Sequence, residues 1–110
     1  MGSSRYEQLS VRRFDTPFTG PGRALTAATT LTDNDDFVTA TVAGGSFTIT
    51  LPSAVGRLGQ TIWVKRTDSG ANVLTVTAAA GNVEGVTSVT LGPLVGNAFR
   101  SDGTDWWRFP

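Results

Sequence analysis

The stretch Phe47-Thr48-Ile49-Thr50-Leu51 decides how this chain is read. Successive side chains of an extended strand point to opposite faces, so Phe47, Ile49 and Leu51 share one face and the two threonines the other. This is a β-strand with one apolar and one wet face. Thr61-Ile62-Trp63-Val64-Lys65-Arg66 reads differently. Ile62 and Val64 face one side while Trp63 faces the opposite one, so both faces carry apolar weight and the strand calls for cover on both.

Working outward from these two, threonine and valine dominate from Ala24 onward, and clusters of glycine, proline, aspartate and asparagine punctuate them. That is the composition of short strands joined by turns. Strands are predicted at 24–32, 37–42, 47–51, 61–66, 73–77, 88–91, 95–100 and 106–109. Ala43-Gly44-Gly45-Ser46 reads as a hairpin turn, because glycine tolerates the positive φ that tight turns need, and 68–72 and 101–105 read likewise. Residues 52–58 are helix-compatible and stop at Gly59, which predicts one short helical turn. No internal repeat of solenoid length is visible, which disfavours solenoids and propellers. The expected fold is all-β: a small antiparallel sandwich or barrel with one helical turn.

Residues 1–23 differ in kind. Pro17, Gly20, Pro21 and Gly22 break regular structure, and Tyr6, Leu9, Val11, Phe14 and Phe18 are spaced as isolated apolar anchors. The segment reads as an extended N-terminal arm that lays side chains into a neighbour's pockets, ahead of a β domain at 24–110. Arg5, Arg12, Arg13 and Arg23 against Glu7 and Asp15 give it a net charge of +2, and the rest of the chain carries −2.

A chain of 110 residues fits one domain. A body of that size buries only about 60 to 65% of its unfolded surface, so a lone copy is marginal. Cysteine and histidine are both absent. That removes disulfides, thiolate nucleophiles, the commonest general base and the commonest zinc ligands. Oligomerisation is the stabilising route left. No apolar run is long enough to span a membrane and no secretory-signal core is visible, so the expectation is a soluble protein made in the cytoplasm, without membrane contact.

Several elements stand in a fixed order: Ile49-Thr50-Leu51-Pro52-Ser53-Ala54, Gly59-Gln60-Thr61-Ile62-Trp63-Val64-Lys65, Leu74-Thr75-Val76, Val83-Glu84-Gly85, and Phe99-Arg100-Ser101-Asp102-Gly103-Thr104-Asp105-Trp106-Trp107. In that order they resemble the small β module of tailed-bacteriophage virion proteins, found in tail fibres, head fibres and capsid decoration proteins. The resemblance covers roughly residues 33–109. It implies a homotrimer. A short chain with a short arm points, within that family, to a capsid decoration (cement) protein on the virion surface. Its partner is then the major capsid protein, reached through Tyr6, Leu9, Arg12, Arg13, Phe14 and Phe18. A tail-fibre or receptor-binding tip and a tail or neck adaptor stay open beside it.

Asp33-Asn34-Asp35-Asp36 is the densest acidic cluster. It lacks the spaced glycine and closing glutamate of a calcium loop, so it reads as a solvated turn, and no metal or cofactor is expected. Asp102, Asp105 and Glu84 are the only carboxylates that suggest glycosidase chemistry, and turn roles account for them. No enzyme is expected. Trp63, Trp106 and Trp107 are read as subunit interface in preference to a glycan platform, with the adjacent pair pointing to opposite sides of their strand. Arg57, Lys65, Arg66, Arg100 and Arg108 are too sparse and too balanced by acid for a nucleic-acid footprint.

Overall fold

A computed structural model describes residues 22–110; the arm residues Tyr6, Leu9, Arg12, Arg13, Phe14 and Phe18 lie outside the described residues. Among the described residues nine strands form: β1 (Gly22–Leu25), β2 (Thr29–Thr30), β3 (Phe37–Ala40), β4 (Phe47–Leu51), β5 (Thr61–Arg66), β6 (Leu74–Ala78), β7 (Ser88–Leu91), β8 (Gly96–Ser101) and β9 (Trp106–Phe109). The fold is all-β. Gly22 and Arg23, assigned to the arm by sequence, begin β1.

The strands make a five-stranded sheet, ordered β1-β3-β5-β8-β9, and a four-stranded sheet, ordered β2-β4-β6-β7. From β1 to β6 the chain alternates between them, so β1, β3 and β5 pair in parallel, as do β2, β4 and β6. Only β5–β8, β6–β7 and β8–β9 are antiparallel. The expected antiparallel pairing is therefore corrected to two mixed sheets, and the first six strands wind like a solenoid despite the absence of a sequence repeat. Parallel neighbours need a crossover between them. Here each crossover is a strand of the opposite sheet.

The Gly44-Gly45 turn shows why sequence misreads this. Gly45 N–H donates to the Val42 carbonyl at 3.0 Å, and Gly45 takes φ 149°. The turn reverses the chain locally, but it delivers β4 across the core from β3 instead of beside it. A tight-turn signature is the same for both outcomes. The strand expected over 24–32 breaks for a related reason. Leu25 and Leu31 are both buried, and they enter one core from opposite sheets, so residues 26–28 must cross between them.

Residues 52–58 form no helix. Two successive turns replace it, closed by Arg57 N–H to Ala54 O (3.2 Å) and Gln60 N–H to Arg57 O (2.9 Å). Gly56 and Gly59, at φ 77° and 89°, adopt a conformation that a right-handed helix cannot continue through.

The core lies between the sheets. Val38, Ile62, Val64, Phe99 and Trp106 enter from the five-stranded sheet, and Ile49, Leu51, Leu74, Val76 and Leu91 from the other. Arg66 is buried at the end of β5 and braces the sandwich. It donates to both Asp68 carboxylate oxygens (3.0 Å each) and to the carbonyls of Leu91 (3.0 Å), Gly70 (2.9 Å) and Asn72 (2.8 Å). The Arg66 hydrogen bonds, followed by the Val42 amide, hold the Asp68 carboxyl far below the usual carboxylate range.

One lateral end is sealed. Trp106 N–H donates to Asn82 O, Glu84 N–H to Trp106 O, and Arg108 N–H to the Glu84 carboxylate at 2.7 Å. Arg108 Nη1 then reaches Thr90 O at 3.1 Å, tying β9 to β7. The free edge of β9 is thus occupied by side chain and turn, which blunts it as a template for strand addition. Gly81 makes this possible, because a Cβ there would overlap the Thr104 carbonyl.

Candidate functional site

Strand register puts one row of residues straight across the outer face of the five-stranded sheet: Gly22, Phe37, Trp63, Ala98 and Phe109. Phe37, Trp63 and Phe109 are 48%, 47% and 49% exposed, whereas Ala98, between the last two, is only 5% exposed. Trp63 and Phe109 are its neighbours in the row on either side. The flanking row holds Thr61, Arg100 and Trp107. The strip is an exposed aromatic patch, a kind of surface that monomeric proteins rarely leave large and contiguous.

Trp107 is fixed in place. Its indole N–H donates to Asp102 Oδ2 at 2.7 Å, while Asp102 Oδ1 accepts from the Thr104 and Asp105 amides at 2.9 and 2.8 Å. The Asp105 amide first, then the indole and the Thr104 amide, lower the Asp102 pKa below the ordinary value. Beside this ring lies a pocket of about 210 Å³ lined by Leu58, Arg100, Ser101, Asp102, Trp107 and Phe109.

The tryptophans divide as strand alternation requires. Trp63 and Trp107 face outward on the same sheet, while Trp106 is fully buried and donates its indole N–H to Pro52 O at 2.9 Å. Trp106 therefore belongs to the core and is closed to a partner. Phe37 and Phe109 had not been singled out in the sequence. The local cue existed, since Phe37-Val38-Thr39-Ala40 alternates with apolar weight on both faces, but only the register aligns them with Trp63.

The remaining candidates are engaged in structure. Asp35 is buried. Burial works against its ionised form, but two Arg23 hydrogen bonds at 2.8 Å and the Thr32 amide at 2.7 Å outweigh this and lower its pKa. Asp33 pairs with Arg57 at 2.6 and 2.9 Å, and those hydrogen bonds lower its pKa. Among the described residues no three acidic side chains gather as a cation site. Asp105 accepts from the Asn82 amide and Glu84 from the Arg108 amide, so these carboxylates hold turns and a strand edge. Of the basic residues, Arg57 and Arg66 are paired and Arg108 is bonded to Thr90, so they form no stripe.

The outer face of the four-stranded sheet is unlike this one. Its two rows are Thr30, Thr50, Thr77 and Ser88, and Thr48, Thr75 and Thr90. Searches of protein-family profiles and of curated proteins return no match to this chain.

Proposed function

We propose that this chain is a non-enzymatic assembly module that binds other protein subunits through the outer face of its five-stranded sheet. The observation that carries the proposal is the Phe37–Trp63–Phe109 row, three half-exposed rings aligned across one sheet face. Each ring has roughly 100 Å² left to bury, worth about 2 to 3 kcal/mol against a complementary surface. The sequence resemblance to phage virion modules supplies the setting: a homotrimeric capsid decoration protein, seated on the major capsid protein at the virion surface, with arms reaching neighbouring capsid subunits. A protein that binds only the assembled shell stabilises it by mass action, by about 2.7 kcal/mol per site at a hundredfold excess over its dissociation constant.

The test is to pellet undecorated phage heads with the purified chain and to measure the chain alone by sedimentation equilibrium. Saturable binding to heads and a trimer mass support the reading. Binding to tails with none to heads replaces it with a fibre or adaptor role. A second reading, a receptor-binding tip for glycans, is favoured by one observation, the pocket beside the fixed Trp107. Glycan-array binding lost in Trp107→Ala would support that alternative.

A further inference from the structure

The polar groups of the pocket beside Trp107 are engaged, with one exception. Ser101 donates its hydroxyl to the Ala54 carbonyl at 2.7 Å and accepts from the Gly103 amide at 3.0 Å. Asp102 accepts from the Thr104 and Asp105 amides through Oδ1 and from the Trp107 indole through Oδ2. That last bond uses the one polar atom of the Trp107 side chain, so the ring presents only apolar surface to the pocket. Leu58 and Phe109 complete an apolar wall. The exception is Arg100. It is exposed between Thr61 and Trp107 in the flanking row, and the ion pairs formed among the described residues, Arg23–Asp35, Arg57–Asp33 and Arg66–Asp68, leave it out.

The wall is prebuilt. Gly59 N–H donates to Ser101 O at 2.8 Å, Ser101 N–H to Gln60 O at 2.9 Å and Gly56 N–H to Gly103 O at 3.1 Å, so the turn that carries Leu58 is bonded to the end of β8 and the turn after it. A Cβ on Gly59 would lie 3.7 Å from Arg100 Nη2, which places the guanidinium beside that same turn, on the pocket rim. Charge on the surrounding face has one sign. The outward rows of the five-stranded sheet carry Arg100 and Lys65 and no carboxylate.

We propose that this pocket binds an acidic segment of a protein partner. An aromatic side chain of the segment seats between Leu58, Trp107 and Phe109, and a carboxylate next to it pairs with Arg100. A guanidinium offers a carboxylate two parallel N–H donors, and the pair strengthens as the partner excludes water. Asp102 does not repel this ligand strongly, because three N–H donors already offset its charge. A sugar matches the pocket less well: its hydroxyls would find the Ser101 and Asp102 oxygens engaged, and a polar group buried without a partner is costly. The assignment rests on the reading of this face as the assembly surface and adds the chemistry of what that surface binds.

The probe is 3-phenylpropionate, a ring with a carboxylate, against its neutral counterpart 3-phenylpropionamide. Titrated to roughly 10 mM into the full ¹⁵N-labelled chain, the acid should shift the Trp107 indole N–H and the Arg100 Nε–H signals saturably. The Thr48 and Thr75 amides, on the opposite sheet, should not move. The acid should bind about threefold or more tighter than the amide, as an exposed ion pair allows, and Arg100→Gln should abolish that preference. In pelleting titrations Arg100→Glu should weaken binding to heads about 30-fold, because the partner's carboxylate would then meet a like charge away from water. Equal binding of acid and amide, or a preference that survives Arg100→Gln, overturns the proposal. So does saturable binding of glucuronate where 3-phenylpropionate has no effect, which would give the pocket to a sugar. Heads that bind the native chain and Arg100→Glu equally remove the acidic partner and keep the assembly reading. An acid-selective pocket on a chain that binds no heads supports the pocket chemistry and discards the head as its partner.

Discussion

The two outer faces of the sandwich are built from strands of the same period yet present opposite chemistry. Both sheets send their apolar residues inward at alternate positions, Ile62 and Val64 from one, Ile49, Leu51, Leu74 and Val76 from the other. Outward, the four-stranded sheet shows Thr48, Thr50, Thr75, Thr77 and Thr90, whereas the five-stranded sheet shows Phe37, Trp63, Trp107 and Phe109. A threonine face gains strand propensity and keeps water content. An aromatic face gains nothing from water and retains its worth for a partner. Folding alone explains the first face, and the proposed assembly role is the account offered for the second.

The sharpest break of this comparison runs through adjacent residues. Trp106→Ala removes a core ring and its bond to Pro52 and should cost about 3 to 5 kcal/mol of folding stability. Trp107→Ala, one residue on and outward, loses one exposed hydrogen bond and part of a half-buried ring and should cost less, about 1 to 2 kcal/mol. Urea unfolding of the two variants measures the difference, and equal losses would erase the distinction between inner and outer face. Converting one face into the other comes next. Phe37→Thr, Trp63→Thr and Phe109→Thr should each weaken head binding about 30- to 100-fold in pelleting titrations while leaving the urea midpoint nearly unchanged.

Brackets that hold the faces apart are smaller in effect. Arg66→Met leaves the Leu91, Gly70 and Asn72 carbonyls without their donor and should cost about 3 kcal/mol or less. Acid acts on the same bracket. Because the folded state holds the Asp68 and Asp35 carboxyls below the ordinary value, each favours folding when ionised. That contribution is complete above the unfolded carboxylate pKa of about 4 and fades as pH falls through the folded values. The melting temperature should stay level from about pH 7 to 5 and drop below about pH 4. A melting temperature that holds or rises in acid would contradict it. The smallest change is on the threonine face, where Thr48→Ser and Thr75→Ser should each shift stability by no more than about 0.5 kcal/mol and leave head binding untouched.

Much of the strand content was legible, because alternation is a local property. Phe47–Leu51, Thr61–Arg66, Ser88–Leu91 and Trp106–Phe109 fall where their patterns put them. The partnering was not. Gly44-Gly45 encodes a reversal, and whether the next strand lies beside or across is settled by which core wall Val42 and Ile49 complete. The site inherits that limit: Trp63 was visible as an outward residue, but its alignment with Phe37 and Phe109 exists only in the register of β3, β5, β8 and β9. Arg66, weighed in the sequence only among sparse basic residues, is a buried brace: Asp68, Gly70 and Asn72 are close by in the chain, but the Leu91 carbonyl it also holds lies 25 residues away.

Cryo-electron microscopy of undecorated heads saturated with the native chain tests the central claim most directly. The claim predicts density in which the Phe37–Trp63–Phe109 row lies against protein and the threonine rows of the four-stranded sheet face solvent. Density with the threonine rows against the shell and the aromatic row bare to water would contradict it.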